Sequence, residues 1–168
     1  MLALLVVFYI LTVLSVSSDD KFTTNQFEAR DRRHATVMVA LLVRNKAHTL
    51  PYFLNYLERL DYPKDRMALW IRADHNIDNS LAILAKWIQH TGSAYNWIDY
   101  QKFNNGIGYT NEEGPCDWTY QRFHNVINLR QEALDAARRV WADYLFFTDS
   151  DNILVNEKVL LDLISQQK

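Results

Sequence analysis

The sequence predicts an α/β fold, a doubly wound and mostly parallel sheet flanked by helices. Three observations predict it. Strand-like and helix-like segments alternate from Thr36 to Gln167. The first strand candidate is apolar throughout, as expected when helices cover both faces of a sheet. Polar residues then gather just past the predicted strands, where open parallel sheets place their ligands.

At 168 residues the chain holds one ordinary domain or part of a larger one. Hydrophobic residues make up 49% and charged residues 23%, a globular balance. A net charge of −2 supplies no strong field for nucleic acid or an anionic membrane. Any phosphate must therefore be held locally, by a metal or a few placed donors.

The opening "MLALLVVFYILTVLSVSSDD" is apolar from Leu2 to Leu14. That is shorter than the roughly 20 residues that cross a bilayer, so no stable membrane span is expected. It fits the apolar core of a secretory signal over residues 1–18, with Val16 and Ser18 as the small residues before a cut ahead of Asp19. No Lys or Arg precedes the apolar run, and an uncleaved short anchor is the alternative. Either reading places the rest in the secretory pathway. Residues 19–35 read as a polar linker. Cys116 is the single cysteine, so no internal disulfide forms, and a buried bystander thiol is its plainest reading. There is no Asn-x-Ser/Thr sequon.

"TVMVALLV" (Thr36–Val43) is a β-branched and aliphatic run, a strand buried on both faces. "HTLPYFLNYLERL" (His48–Leu60) has helical spacing, with Thr49 as N-cap and Pro51 in the first turn. "MALWIRA" (Met67–Ala73) is the second strand. "NSLAILAKWIQH" (Asn79–His90) is a helix ended by Gly92. "YNWIDY" (Tyr95–Tyr100) is the third strand. The Asn- and Gly-rich stretch "QKFNNGIGYTNEEGPCDW" is long enough to need a functional reason. After it, Phe123, Val126, Ile127, Leu134, Ala137 and Val140 recur at helical intervals and predict a helix whose apolar stripe is core. "YLFFTDSDNIL" (Tyr144–Leu154) is a fourth strand running into two acids. "NEKVLLDLISQQ" closes as a helix with Asn156 as cap.

Those acids carry the chemistry. Asp149-x-Asp151 is the one D-x-D in the chain. A bare D-x-D means little, since Asp is roughly one residue in twenty. This one follows four apolar residues and a Thr at a strand end. If the chain stays extended there, both carboxylates point one way and repel unless a cation intervenes. A hard divalent ion with oxygen ligands suits the pair, and such ions keep waters and bind substrate phosphates. Capping or turn formation is the plainer alternative. By the same rule Arg44 and Asn45, after the first strand, and Asp74 and Asn76, after the second, are candidates to line a nucleotide pocket, though each alone suits a cap or turn. Glu112, Glu113 and Trp118 fit a solvated loop with one anchoring aromatic better than a substrate contact.

Other centres fail on their letters. "DHNIDN" (Asp74–Asn79) opens like a calcium loop, but Asn79 replaces the required Gly and Ala85 the required Glu. The histidines form no H-E-x-x-H, and one cysteine builds no structural zinc site. "GIG" (Gly106–Gly108) lacks the rest of a dinucleotide fingerprint. A phosphatase using an Asp-x-Asp nucleophile usually carries that motif at the start of its domain, whereas here about three strands precede it.

In "VMVALLVRNKAHTLPYFL", "LWIRADHNIDNS", "NEEGPCDWTYQRFHNVINLRQEALDAAR" and "WADYLFFTDSDNIL" the chain resembles glycosyltransferase family 25 of the procollagen galactosyltransferase type. The resemblance covers nearly everything from Thr36 to Gln167. It implies a GT-A-like (Rossmann-like) fold, here the nucleotide-binding half of a larger domain over residues 36–168. It also implies a luminal enzyme of the endoplasmic reticulum that moves galactose from UDP-galactose to hydroxylysine of collagen, with Mn2+ as cofactor. Asp149 and Asp151 match the family's D-x-D; by that likeness Asp151 ligates the metal and Asp149 contacts ribose or metal. Family enzymes are several times longer, so the acceptor half and the catalytic base are expected beyond this chain. The family also holds a homologue described as a cell-adhesion protein without transferase activity. A catalytically inactive binding or adhesion module is therefore the alternative function.

Overall fold

The computed structural model describes residues 34–104, 106–114 and 117–166. The predicted signal, most of the linker and Cys116 lie outside the described residues. The apolar run becomes β1 (Val37–Val43), in which every residue but Leu42 is buried. It is followed by α1 (Leu50–Arg59), β2 (Met67–Asp74), α2 (Ser80–Thr91), β3 (Trp97–Phe103), α3 (Tyr120–Arg139), β4 (Tyr144–Asp149) and α4 (Val159–Ser165). Each predicted element is present, with ends moved by a few residues.

The four strands form one parallel sheet in the order β3-β2-β1-β4. The chain builds outward from β1 through β2 to β3, then crosses back to place β4 on the other side of β1. The strand order therefore reverses between β1 and β4, the position at which doubly wound sheets leave a crevice beyond their carboxyl ends. Leu42 is paired with Asp149, and Val43 with Ala73, so the ends of β1, β2 and β4 finish close together.

Alternation along the strands divides the core in two. Val37, Val39, Leu41 and Val43 face α1, α2 and α4, where Phe53, Leu57, Leu84 and Leu160 complete an apolar layer. In α1 the buried residues are Leu50, Phe53, Leu54 and Leu57, the spacing of a single helical face. Thr49 holds the N-cap position as predicted, but its hydroxyl turns to the Lys46 carbonyl instead of capping the helix. Met38, Ala40 and Trp70 face α3, whose buried positions are Leu129, Ala133, Ala136 and Ala137.

The reading of the α3 stripe as core holds for Ala137 and Val140, which join the layer under the sheet, and is corrected for three others. Phe123, Ile127 and Leu134 are 51%, 60% and 38% exposed. At about 100° per residue they share a stripe with Tyr120, opposite the alanine face. The small alanines admit α3 close to the sheet, so the helix is seated by its least bulky side. In β4, Phe147 is 41% exposed because the strand has β1 as its only neighbour among the described residues. Asn156 does not cap α4. Its side chain accepts from Lys158 N, and the helix starts at Val159. No helix among the described residues is long and apolar enough to cross a membrane.

Candidate functional site

Two tight turns set the floor of the site. Asn45 (φ 51°) and His75 (φ 46°) take left-handed conformations directly after β1 and β2. Short polar side chains such as Asn bear that conformation better than bulky ones. The turns are tied to each other. Asn45 N donates to Asn76 Oδ1 at 2.8 Å, and Ile77 N donates to Asn45 Oδ1 at 2.9 Å. Asn76 Nδ2 donates to the Val43 carbonyl at 3.0 Å. Lys46 N and Ala47 N donate to Ser80 Oγ and Asp78 Oδ2. These hydrogen bonds fix the β1 and β2 ends against one another, and Asn45 and Asn76 serve as the bolts.

Above this floor lies a cavity of about 220 Å³. Arg44, Asp74, Asp149 and Asp151 border it from the strand ends, while Arg122 and Arg130 border it from α3. Of the residues predicted to hold a nucleotide, Arg44, Asp74 and Asp149 thus meet at one cavity, together with Asp151. Asn45 and Asn76 do not border it.

The strand does not stay extended through Asp151. It ends at Asp149, and Asn152 N donates back to the Asp149 carbonyl at 3.0 Å, which turns the chain. The turn still leaves both acids on the same cavity. Lys46 Nζ sits 2.6 Å from Asp151 Oδ2. That hydrogen bond holds the Asp151 carboxyl below the usual range, against a smaller opposing effect of burial. Ser150 between the acids is 1% exposed, and its hydroxyl has no hydrogen-bond partner among the described residues.

Asp74 is the centre of a buried network. His75 Nδ1 lies 2.7 Å from its Oδ1, Asn125 Nδ2 donates to its Oδ2 at 2.6 Å, and the Tyr109 hydroxyl donates to the same oxygen. Burial first, and then the hydrogen bond to Asp74, push the Tyr109 phenol well above its ordinary value. The Tyr109 ring stacks on His75 with centroids 3.9 Å apart, and the Arg44 guanidinium lies 4.9 Å from its centroid. Arg44 in turn ion-pairs with Glu112 through Nη2, which donates to both carboxylate oxygens. The hydrogen bond from Arg44 holds the Glu112 carboxyl below its usual range.

The reading of Glu112 as a solvated loop residue is therefore corrected: its side chain is 10% exposed and clamps the loop to β1. Glu113 is exposed, as predicted. Trp118 is half exposed but borders the cavity, with the Arg122 guanidinium 4.1 Å from its ring centroid. Sequence reasoning also missed Tyr109, Asn125, Arg122 and Lys46. The one available signal was the length of the loop, because a partnership across 68 residues, such as Arg44 with Glu112, leaves no local trace.

Among the described residues no group of three or more His, Cys, Asp or Glu side chains is gathered to hold an ion. An open site is a different case, because Mg2+-like ions take one or two carboxylates and complete their shell with water and substrate phosphates. Asp149 and Asp151 fit that pattern, provided the Lys46 ammonium moves off Asp151.

The model of glycosyltransferase family 25, N-terminal domain, matches residues 34–168. A glycosyltransferase 25 family member from Anopheles gambiae is 49% identical over 167 residues, covering 99% of this chain and 26% of that protein. Procollagen galactosyltransferase 2 of Homo sapiens is 43% identical over 152 residues, covering 90% of this chain and 24% of that protein. The chain thus spans about a quarter of the length of these curated relatives. Among solved structures, Staphylococcus aureus TarS 1–349 in complex with UDP matches with a TM-score of 0.53 and 20% identity, over 77% of this chain and 31% of that one. The mannosyltransferase PcManGT from Pyrobaculum calidifontis, in complex with GDP-Man and Mn2+, matches with a TM-score of 0.54 and 14% identity, over 79% of this chain and 32% of that one. At such identities the likeness carries the fold alone, which is GT-A-like. With a family model that covers its whole described length, the chain belongs to glycosyltransferase family 25.

Proposed function

We propose that this chain is the donor-binding part of a metal-dependent glycosyltransferase that takes UDP-galactose and serves a collagen-like acceptor in the lumen of the secretory pathway. The observation that carries the reading is the meeting of Asp149 and Asp151 at a cavity beside the reversal of strand order. The galactosyl group and the collagen-like acceptor follow the names of procollagen galactosyltransferases among the relatives, while the UDP carrier and the compartment follow the family resemblance and the apolar opening segment. The signal peptide over residues 1–18 and the linker after it belong to the same proposal.

Transfer from a sugar nucleotide leaves negative charge on the departing diphosphate. A divalent ion supplies Lewis-acid stabilisation of that charge when bound. The chain's own contribution is positional. Asp149 and Asp151 present carboxylate oxygens at the rim, and the Asn45–Asn76 bolts keep the β1 and β2 ends from shifting beneath them. Arg44, held by Glu112 and Tyr109, closes the wall on the loop side. No residue here is assigned as the base that deprotonates the acceptor.

Titration calorimetry of the full chain with UDP, with and without Mn2+, tests the reading. Expected is Mn2+-dependent binding that Asp151→Asn removes. Equal UDP affinity with and without the metal overturns it. One observation favours a second reading, an inactive binding or adhesion module: the Lys46 ammonium already neutralises Asp151. A correctly folded chain that binds neither Mn2+ nor UDP decides for that alternative.

A further inference from the structure

The cavity is bordered by five cationic side chains, Arg44, Lys46, Arg72, Arg122 and Arg130. Four are committed. Arg44 is paired with Glu112, and Lys46 with Asp151. Arg72 is buried and held by Asp99 and Glu132. Arg122 donates to the Asp117 carbonyl at 2.5 Å and lies over the Trp118 ring. Arg130 differs: it is exposed on the middle of α3, and no hydrogen bond, ion pair or ring contact engages it among the described residues.

Asp149 is in the matching position on the anionic side. Its carboxylate has no side-chain or backbone partner among the described residues. Arg130 and Asp149 both border the 220 Å³ cavity, and both border another of about 70 Å³ formed with Thr148 and Asn152. A guanidinium and a carboxylate sharing two cavities attract each other, yet here they form no ion pair. Both side chains are exposed and unpaired among the described residues, so a ligand of mixed charge in the shared cavities can engage both, its cation toward the carboxylate and its anion toward the guanidinium. A diphosphate carrying a divalent ion has that distribution. The planar fork of an arginine also suits phosphate oxygens better than a point charge does.

We propose that Arg130 is the diphosphate-binding residue of this site, approaching the nucleotide from α3 on the side away from Lys46. This rests on the function proposed above. It adds a residue that no D-x-D reading supplies, and it makes α3 a working wall of the site.

The test is calorimetry of the full chain, in Mn2+, with UDP and with uridine as separate titrants, on the parent, Arg130→Gln and Arg130→Lys. Arg130 is exposed, so both variants are expected to melt with the parent. Loss of a charged hydrogen bond to phosphate weakens UDP binding about 10- to 100-fold in Arg130→Gln. Uridine affinity is unchanged, and Arg130→Lys falls between parent and Gln. UDP binding equal to the parent's in Arg130→Gln overturns this inference and leaves the proposed function standing. Loss of uridine and UDP affinity in parallel also overturns it, since the residue then acts on the nucleoside or the fold. A parent that binds no UDP overturns both.

Discussion

On the α1–α2–α4 side of the sheet, β1 and β2 present Val37, Val39, Leu41, Leu69 and Ile71. On the α3 side the same two strands present Ala40, Trp70, Arg72 and Asp74. One face is a continuous apolar layer of large side chains. The other has a narrow alanine-backed core under α3, and beyond it charges held by one another. The contrast teaches how this sheet divides its work. Burial of large apolar groups on the first face supplies stability without demanding exact partners, since such burial is non-directional. That leaves the second face able to carry Arg72, Asp74 and Asp149, which need named partners and a cavity.

The comparison breaks most visibly if the apolar face is hollowed. Phe53 is fully buried against β1 and β2. Phe53→Ala is expected to cost about 3–5 kcal/mol in urea unfolding, and a loss under 1 kcal/mol would show that stability resides elsewhere. On the opposite face the largest expected effect is at Arg72, whose side chain is fully buried while Asp99 and Glu132 are partly solvated. Arg72→Met is expected to cost about 1.5–3 kcal/mol. The freed acids can hydrate, so the loss stays below that of Phe53→Ala. The reverse order, measured under the same conditions, would invert the division of labour.

A pH series sharpens the picture without mutation. Glu112 has an ordinary value of 4.5 and is held lower in the fold, chiefly by Arg44. A depressed carboxyl stabilises above its unfolded value, and the contribution is lost as pH falls through the folded one. The loop clamp is thus fully present above pH 4.5 and released below it. Hydrogen exchange of the 106–114 amides, corrected for intrinsic rates, should show protection falling as the pH is lowered below 4.5 through the range in which the fold survives; protection unchanged across that acid range would remove Glu112 from its role. The smallest effect is predicted on the outer stripe of α3. Ile127→Gln is expected to change stability by no more than about 0.5 kcal/mol, whereas a true core position would lose several-fold more.

That last case marks where sequence reading reached its limit. Each strand and helix was legible, because β1 and β2 carry unbroken apolar runs and α1 carries one clean face. In α3 the periodicity correctly announced a helix and caught Ala137 and Val140, but it also counted Phe123, Ile127 and Leu134, which lie on the outer side. Alanines weigh little in any apolar tally, yet Ala133, Ala136 and Ala137 are what the sheet accepts. At the site, Arg44, Asp74, Asp149 and Asp151 were legible from position alone, since strand ends of a parallel sheet converge. Asn45 and Asn76 have the same placement but bind backbone, a choice set by the left-handed turns and invisible in the letters. Tyr109 and Glu112 come from a loop whose path is fixed by partners far along the chain.

The sheet's two borders differ as well. β3 carries Asp99, Gln101 and Lys102 along its length, and charged side chains of that kind discourage a foreign strand from docking. β4 offers Tyr144, Leu145, Phe146 and Phe147 in succession, with no charge before Asp149. Its outer row of amide and carbonyl groups has no strand to meet among the described residues. Of the two borders, β4 is thus the one built to take up a further strand, and β3 the one built to refuse it.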